Sequence, residues 1–104
     1  MSDQVLTQVS AVVAAEREAD LLAAYRDLVV GPLPDGPVRT ELLRGPDGHW
    51  RIQTLWRDRA ALDAMRVAAE PPAAPRLFRE VGAEPELAIF DIAFSLVAPA
   101  DPRA

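Results

Sequence analysis

With no cysteine and a single histidine among 104 residues, this chain has few ways to do nucleophilic, redox or metal chemistry, and the thiolate and disulfide routes are closed. The groups that could act are Tyr25, His49, Trp50, Trp56, Arg76 and Asp91. Tyr25 is the best acid or base candidate, since a phenol both donates and accepts a hydrogen bond, although packing alone would account for it. Arg76 carries a permanent charge that could hold a phenolate or a carboxylate if it faced a cavity. Trp50 and Trp56 fall on the same side of an alternating segment, and each offers a broad apolar wall with one N–H donor. His49 follows Gly48 at a turn, where a solvated side chain is expected. Asp91 is the one carboxylate in an apolar block; buried there it would be protonated or paired, with an arginine across a dimer as one partner. Gln8, Ser10 and Thr54 are single uncharged polar residues on otherwise apolar strands, able either to satisfy neighbours or to touch a ligand.

Charge and composition narrow the partners. The formal net charge is −5, and the 11 basic residues, all arginine, are scattered along the chain, which argues against a phosphate backbone as partner. No apolar run approaches the length of a membrane span, and no basic stretch leads into an apolar one, so a cytoplasmic protein with no membrane contact is expected. Hydrophobic residues make up 50 % of the chain, somewhat rich for one small domain, which hints at an interface.

Glycine and proline punctuate the chain and leave five clean blocks between their clusters. Residues from Val5 alternate in period two for about ten positions and predict a strand. From Glu16 the period becomes helical, with Leu21, Leu22, Tyr25, Leu28 and Val29 on one side, and the helix must end before Gly31. Blocks 38–44 and 49–57 alternate about the turn Gly45-Pro46-Asp47-Gly48 and predict a hairpin. Asp58 suits an N-cap for a second helix through Ala69. Pro71 and Pro72 must break that helix, Pro75 suits the first turn of a continuation, and Gly82 suits its C-terminal cap. Block 87–97 alternates again and predicts a final strand deep in a sheet.

The order strand, helix, strand, strand, helix, strand predicts an α+β domain over residues 4–98, followed by a flexible tail at 99–104. This is the ferredoxin-like split β-α-β arrangement: a four-stranded antiparallel sheet with the helices on one face. Leu43, Leu55 and one row each from the first and last strands would then lie bare on the opposite face. A homodimer packing two such faces together would cover both at once.

The segment His49-Trp-Arg-Ile-Gln-Thr-Leu-Trp-Arg-Asp-Arg-Ala-Ala-Leu62, a strand running through Trp56 into a capped helix, resembles the antibiotic biosynthesis monooxygenase family, and the whole block order agrees. The resemblance implies the dimeric α+β barrel fold and a cavity in each subunit between helices and sheet. Some members use that cavity to oxygenate hydroxylated aromatics without metal or flavin; others degrade haem. The haem chemistry asks for an asparagine on the first strand, a helix histidine and a helix tryptophan. This chain has no asparagine, its tryptophan position corresponds to Met65, and its ligand position falls near Pro75, which cannot bind iron.

For the oxygenases acting on quinol or anthrone substrates, the resemblance implies Trp56 and Arg76 as site residues, joined by Tyr25 as the acid or base. Trp50, Ile52, Thr54, Leu62, Met65 and Phe78 would line the substrate cavity, with no cofactor and no metal. Ile52 stands where such enzymes carry an asparagine and Leu62 where they carry a tyrosine, which thins the polar half of the site. Two readings follow: a cofactor-independent monooxygenase of a small hydroxylated aromatic, or a non-catalytic dimeric barrel that binds a small apolar ligand or serves a structural role.

Overall fold

The computed structural model describes residues 3–31, 35–67 and 72–98. Its elements are β1 (Val5–Val12), a short 3-10 turn (Ala15–Arg17) leading into α1 (Glu18–Val29), β2 (Pro37–Arg44), β3 (His49–Trp56), α2 (Arg59–Arg66), α3 (Ala73–Glu80) and β4 (Glu86–Asp91). The strands form one sheet in the order β2-β3-β1-β4, antiparallel at every junction. Each strand-helix-strand half is therefore split by a strand of the other half, as the block order requires.

Local chemistry fixes the joints. At the hairpin, Asp47 and Gly48 both take positive φ (57° and 77°) and His49 N donates to Pro46 O at 3.1 Å, the tight turn whose twist matches two antiparallel strands. A Cβ on Gly48 would meet Val13 O at 2.9 Å, and Val13 N itself donates to Gly48 O, so backbone contact leaves no room for a side chain. Asp58 caps α2 by accepting from Ala61 N at 2.8 Å. Beyond α3, Gly82 N donates to Arg79 O and Ala83 N to Phe78 O, a paired C-terminal cap that the positive φ of Gly82 permits. The second helical region is split: α2 reaches Arg66, and α3 starts after Pro72, whose extended backbone precedes the first turn. The expected continuation through Ala69, and Pro71, lie outside the described residues.

Helices α1, α2 and α3 cover one face of the sheet. Val5, Thr7, Val9 and Ala11 of β1 and Trp50, Ile52 and Trp56 of β3 are buried beneath them, so the period-two pattern is obeyed. The core is in two parts. The larger joins Val9, Ala11, Trp50 and Ile52 to Leu21 of α1 and Leu77 and Phe78 of α3; the smaller joins Val5 and Trp56 to Leu62 of α2. Burying each of the large apolar side chains Phe78, Leu21 and Leu62 stabilises the fold by about 1.5–3 kcal/mol.

Three expectations are corrected. The last strand is Glu86–Asp91 rather than 87–97, because the ladder with β1 ends at the pair Val5 and Asp91, with one further bond from Ile92 N to Gln4 O. Residues 92–98 have no strand beside them, and Phe94, Leu96 and Val97 are 88 %, 89 % and 83 % exposed. Asp91 is not buried: it closes the edge strand and pairs with Arg59 of its own chain at 3.1 Å. The outer face is not apolar throughout. One rung, Phe90, Leu6 and Leu55, is apolar, whereas the next holds Gln8 donating to Gln53, and Arg39 pairs with Glu41 at 2.6 Å. The expected tail at 99–104 lies outside the described residues. Among the described residues no helix is long and apolar enough to cross a membrane.

Candidate functional site

The gap between α2 and α3 opens a cleft of about 210 Å3 above the middle of the sheet. Its floor takes Val9 and Ile52 from one core cluster and Trp56 and Leu62 from the other, so the cleft lies along the seam where the core divides. Two features of the sequence keep it open. The helical layer is interrupted by the Pro72 break, and the residues that begin α3, Ala73 and Ala74, are too small to fill the space. Leu28 and Val29 close the side where α1 ends, and Leu87 and Ile89 of β4 close the far wall.

Polar groups in this apolar cleft are few and ordered. Thr7, Thr54 and Thr40 face one another across β1, β3 and β2 in a single rung, on the helix side of the sheet. Trp56 Nε1 donates to Thr7 Oγ1 at 2.9 Å, which fixes the indole along the cleft wall. Thr40 Oγ1 and Thr54 Oγ1 are 3.3 Å apart, and Tyr25 on α1 donates its hydroxyl to Thr40 at 3.0 Å. Arg66, at the end of α2, adds a cation at the rim and has no ion pair among the described residues. No carboxylate lines the cleft among the described residues.

The expected site residues divide into three groups. Trp56, Ile52, Thr54, Leu62 and Met65 line the cleft. Tyr25 stands behind its wall and reaches it through Thr40. Trp50, Phe78 and Arg76 are elsewhere. Trp50 is buried in the larger cluster, where its Nε1 donates to Glu18 at 2.7 Å and the Arg44 guanidinium sits 4.7 Å from its ring centroid. Phe78 is wholly buried in the same cluster. Arg76 lies on the exposed side of α3 with Glu80 one turn on, 3.7 Å away. His49 stays at the hairpin turn, with Nδ1 2.9 Å from Pro46 O. Gln8 and Ser10 lie on the outer face, away from the cleft.

Sequence reasoning missed Thr7, Thr40 and Arg66. The threonines could have been found by aligning the three strands on their inward rows, where their hydroxyls fall at one level; Arg66 became visible only once α2 was known to stop there.

No family model matches the chain, and no curated protein matches it. Solved structures do. A candidate antibiotic biosynthesis monooxygenase from Deinococcus radiodurans superposes with a TM-score of 0.72 at 13 % identity, covering 92 % of this chain and 99 % of that one. A variant of SnoaB, a cofactor-independent oxygenase from Streptomyces nogalater, superposes with a TM-score of 0.69 at 24 % identity, covering 91 % of this chain and 98 % of that one. Rv0793 from Mycobacterium tuberculosis gives 0.62 at 18 % identity, over 97 % and 99 % of the two chains. At these identities the likeness establishes architecture and leaves chemistry to the site itself. The chain has the ferredoxin-like α+β fold found in SnoaB and in candidate antibiotic biosynthesis monooxygenases.

Proposed function

We propose that the cleft binds a small hydroxylated aromatic, of quinol or anthrone type, and supports its oxygenation without a metal or flavin. The observation that carries this reading is the cleft itself: an apolar slot walled by a hydrogen-bonded indole, with its hydroxyl groups confined to one rung of the floor. At about 210 Å3 it falls below the roughly 300 Å3 at which ordinary ligand pockets begin, which favours a compact ligand. SnoaB, a cofactor-independent oxygenase, shares the fold, which makes the reading compatible with the architecture and leaves the chemistry to the cleft.

Such a reaction asks little of the protein. The substrate loses a proton and becomes an electron-rich anion, which gives an electron to dioxygen; the two radicals combine, and the peroxide loses water. For an anthrone the first proton leaves to solvent and one is regained as the peroxide loses water, so a ring methylene and a dioxygen molecule are consumed and a ring carbonyl and a water molecule are formed. The protein's part is to exclude water around the anion and to aim donors at its oxygen. Trp56 supplies the flat wall, and Arg66, rather than the surface residue Arg76, is the cation near the ligand. Titrating tryptophan fluorescence with hydroquinones and anthrones, then following oxygen uptake, tests the proposal. Quenching with uptake supports it; absence of quenching by every such ligand overturns it.

A second reading, a barrel that binds a small apolar ligand without turning it over, is favoured by Ile52 and Leu62, apolar side chains in the heart of the cleft. Quenching without oxygen uptake would establish it. Either reading includes a homodimer. The rung Phe90, Leu6 and Leu55 lies on the outer face, with Phe90 half exposed, and the apolar residues Phe94, Leu96 and Val97 that follow Asp91 are also exposed. A second copy related by a two-fold axis covers such a surface on both chains at once.

A further inference from the structure

We propose that Thr54 and Thr7 form an oxyanion site at the cleft floor, polarised from one side by Tyr25 through Thr40 and from the other by Trp56, and that it selects ligands whose hydroxyl can ionise. The inference rests on the reading of the cleft as a ligand site and adds which groups recognise the ligand.

Valine has the shape of threonine and a higher preference for an apolar sheet face, whereas a buried hydroxyl must recover its lost hydration. Three threonines abreast on the inward rung are therefore there for their hydroxyls: Thr7 satisfies the Trp56 N–H and Thr40 the Tyr25 hydroxyl, and each still has a hydrogen to give. Counting hydrogens gives them a task. The indole N–H of Trp56 is donor only, so Thr7 Oγ1 accepts from it at 2.9 Å and keeps its own hydrogen for another partner. Tyr25 donates to Thr40 at 3.0 Å; Thr40 and Thr54 are 3.3 Å apart and either can donate to the other, and in the proposed arrangement Thr40 donates and the Thr54 hydrogen turns toward the cleft. Each donation polarises the next hydroxyl in the row. In that arrangement the two O–H donors stand at paired positions of neighbouring strands that both line the cleft, and a single ligand oxygen is proposed to meet both. Donors held in a dry pocket stabilise an oxygen anion more than a neutral hydroxyl. The ligand class that follows is a planar phenol or enol ionised near neutral pH.

A nitrophenol, whose ionised form absorbs visible light, is the probe, with its methyl ether as a ligand that cannot ionise. In the wild-type protein the bound nitrophenol should ionise at lower pH than in solution. Thr54→Val should raise that pH by about one unit, the tenfold change expected for one hydrogen bond to a charged oxygen, while Thr54→Ser restores it. Tyr25→Phe, which keeps the ring packing, should move it the same way by less. Affinity for the methyl ether should change little in any variant. If both ligands bind and Thr54→Val leaves the ionisation unchanged, the oxyanion site is overturned and the cleft reading stands. If neither ligand binds, both are overturned. Should Thr54→Val not fold, Tyr25→Phe alone decides the question.

Discussion

Trp56 and Thr7 stand on neighbouring strands, and the 2.9 Å bond from the indole Nε1 to the threonine hydroxyl joins the wall of the cleft to its floor. Both residues are buried, and the threonine hydroxyl is the partner the indole N–H has in the structure. Thr7→Val keeps the shape and orphans the indole N–H. The expected loss is about 1–3 kcal/mol of stability, the desolvation cost of one unpaired buried donor, together with a red-shifted or broadened tryptophan emission as the ring loses its anchor. A variant as stable as the wild type in urea would mean that the bond contributes nothing.

Phe78 separates packing from ligand contact. It is wholly buried in the larger core cluster and does not line the cleft, so Phe78→Ala should cost about 3–5 kcal/mol. Against a total stability of about 5–15 kcal/mol, that is a large fraction. The milder Phe78→Leu should lower the urea midpoint and leave ligand affinity within a factor of two. A large affinity change in that variant would return Phe78 to the site.

Most of the fold was legible because the signals were local. The Asp47-Gly48 turn, the Asp58 cap and the Gly82 cap each act within a few residues, and the sequence names them directly. The end of β4 was not legible: block 87–97 alternates throughout, but a strand needs a partner, and the pairing of β1 ends at Val5. Asp91 was misplaced for the same reason, since the alternation marks a residue's face and says nothing of how near it lies to an edge. The candidate site was legible in its apolar half and, of its hydroxyl rung, in Thr54. Trp56, Ile52 and Leu62 announce themselves by pattern, whereas Thr7, Thr40 and Thr54 come from three strands and meet only through the register. Arg76 was placed by resemblance, and the turn of α3 carries it to the surface beside Glu80.

The two arginines can be told apart. Arg66 lines the rim of the cleft and Arg76 does not. Arg66→Ala should weaken binding of a carboxylate-bearing aromatic by several-fold, with the effect fading as salt is raised, because the charge sits in partly solvated surroundings. Arg76→Ala breaks an exposed pair with Glu80, which contributes little, and should change neither affinity nor melting temperature appreciably. The opposite ranking in a titration by tryptophan quenching would restore the assignment that the resemblance implied.

Gly48 tests the hairpin that carries both tryptophans. Its φ of 77° is unfavourable for any residue with a Cβ, and that Cβ would press on Val13 O at 2.9 Å. Gly48→Ala should therefore cost more than the roughly 1–2 kcal/mol of a left-handed residue alone, because the Val13 to Gly48 backbone bond must lengthen as well. Faster amide exchange at Val13 would report the lengthened bond. Unchanged exchange and stability would show that the turn relaxes freely.

The outer face decides the oligomeric state. Phe90 stands beside Leu6 and Leu55 in an apolar rung that spans three strands, and Phe94 and Leu96, beyond the last pairing of β4, are exposed as well. Replacing Phe90 with aspartate sets a charge where a dimer would have to desolvate it, and the cost of an unpaired buried carboxylate exceeds what one rung can return. Phe90→Asp should shift the sedimenting species from twice 11.3 kDa toward 11.3 kDa at micromolar concentration. Removing the residues after Asp91 should weaken association further, and the melting temperature of the wild type should rise with protein concentration, since assembly stabilises the folded chain by mass action. A wild-type protein that already sediments at 11.3 kDa in that range, with a concentration-independent melting temperature, would rule out the dimer.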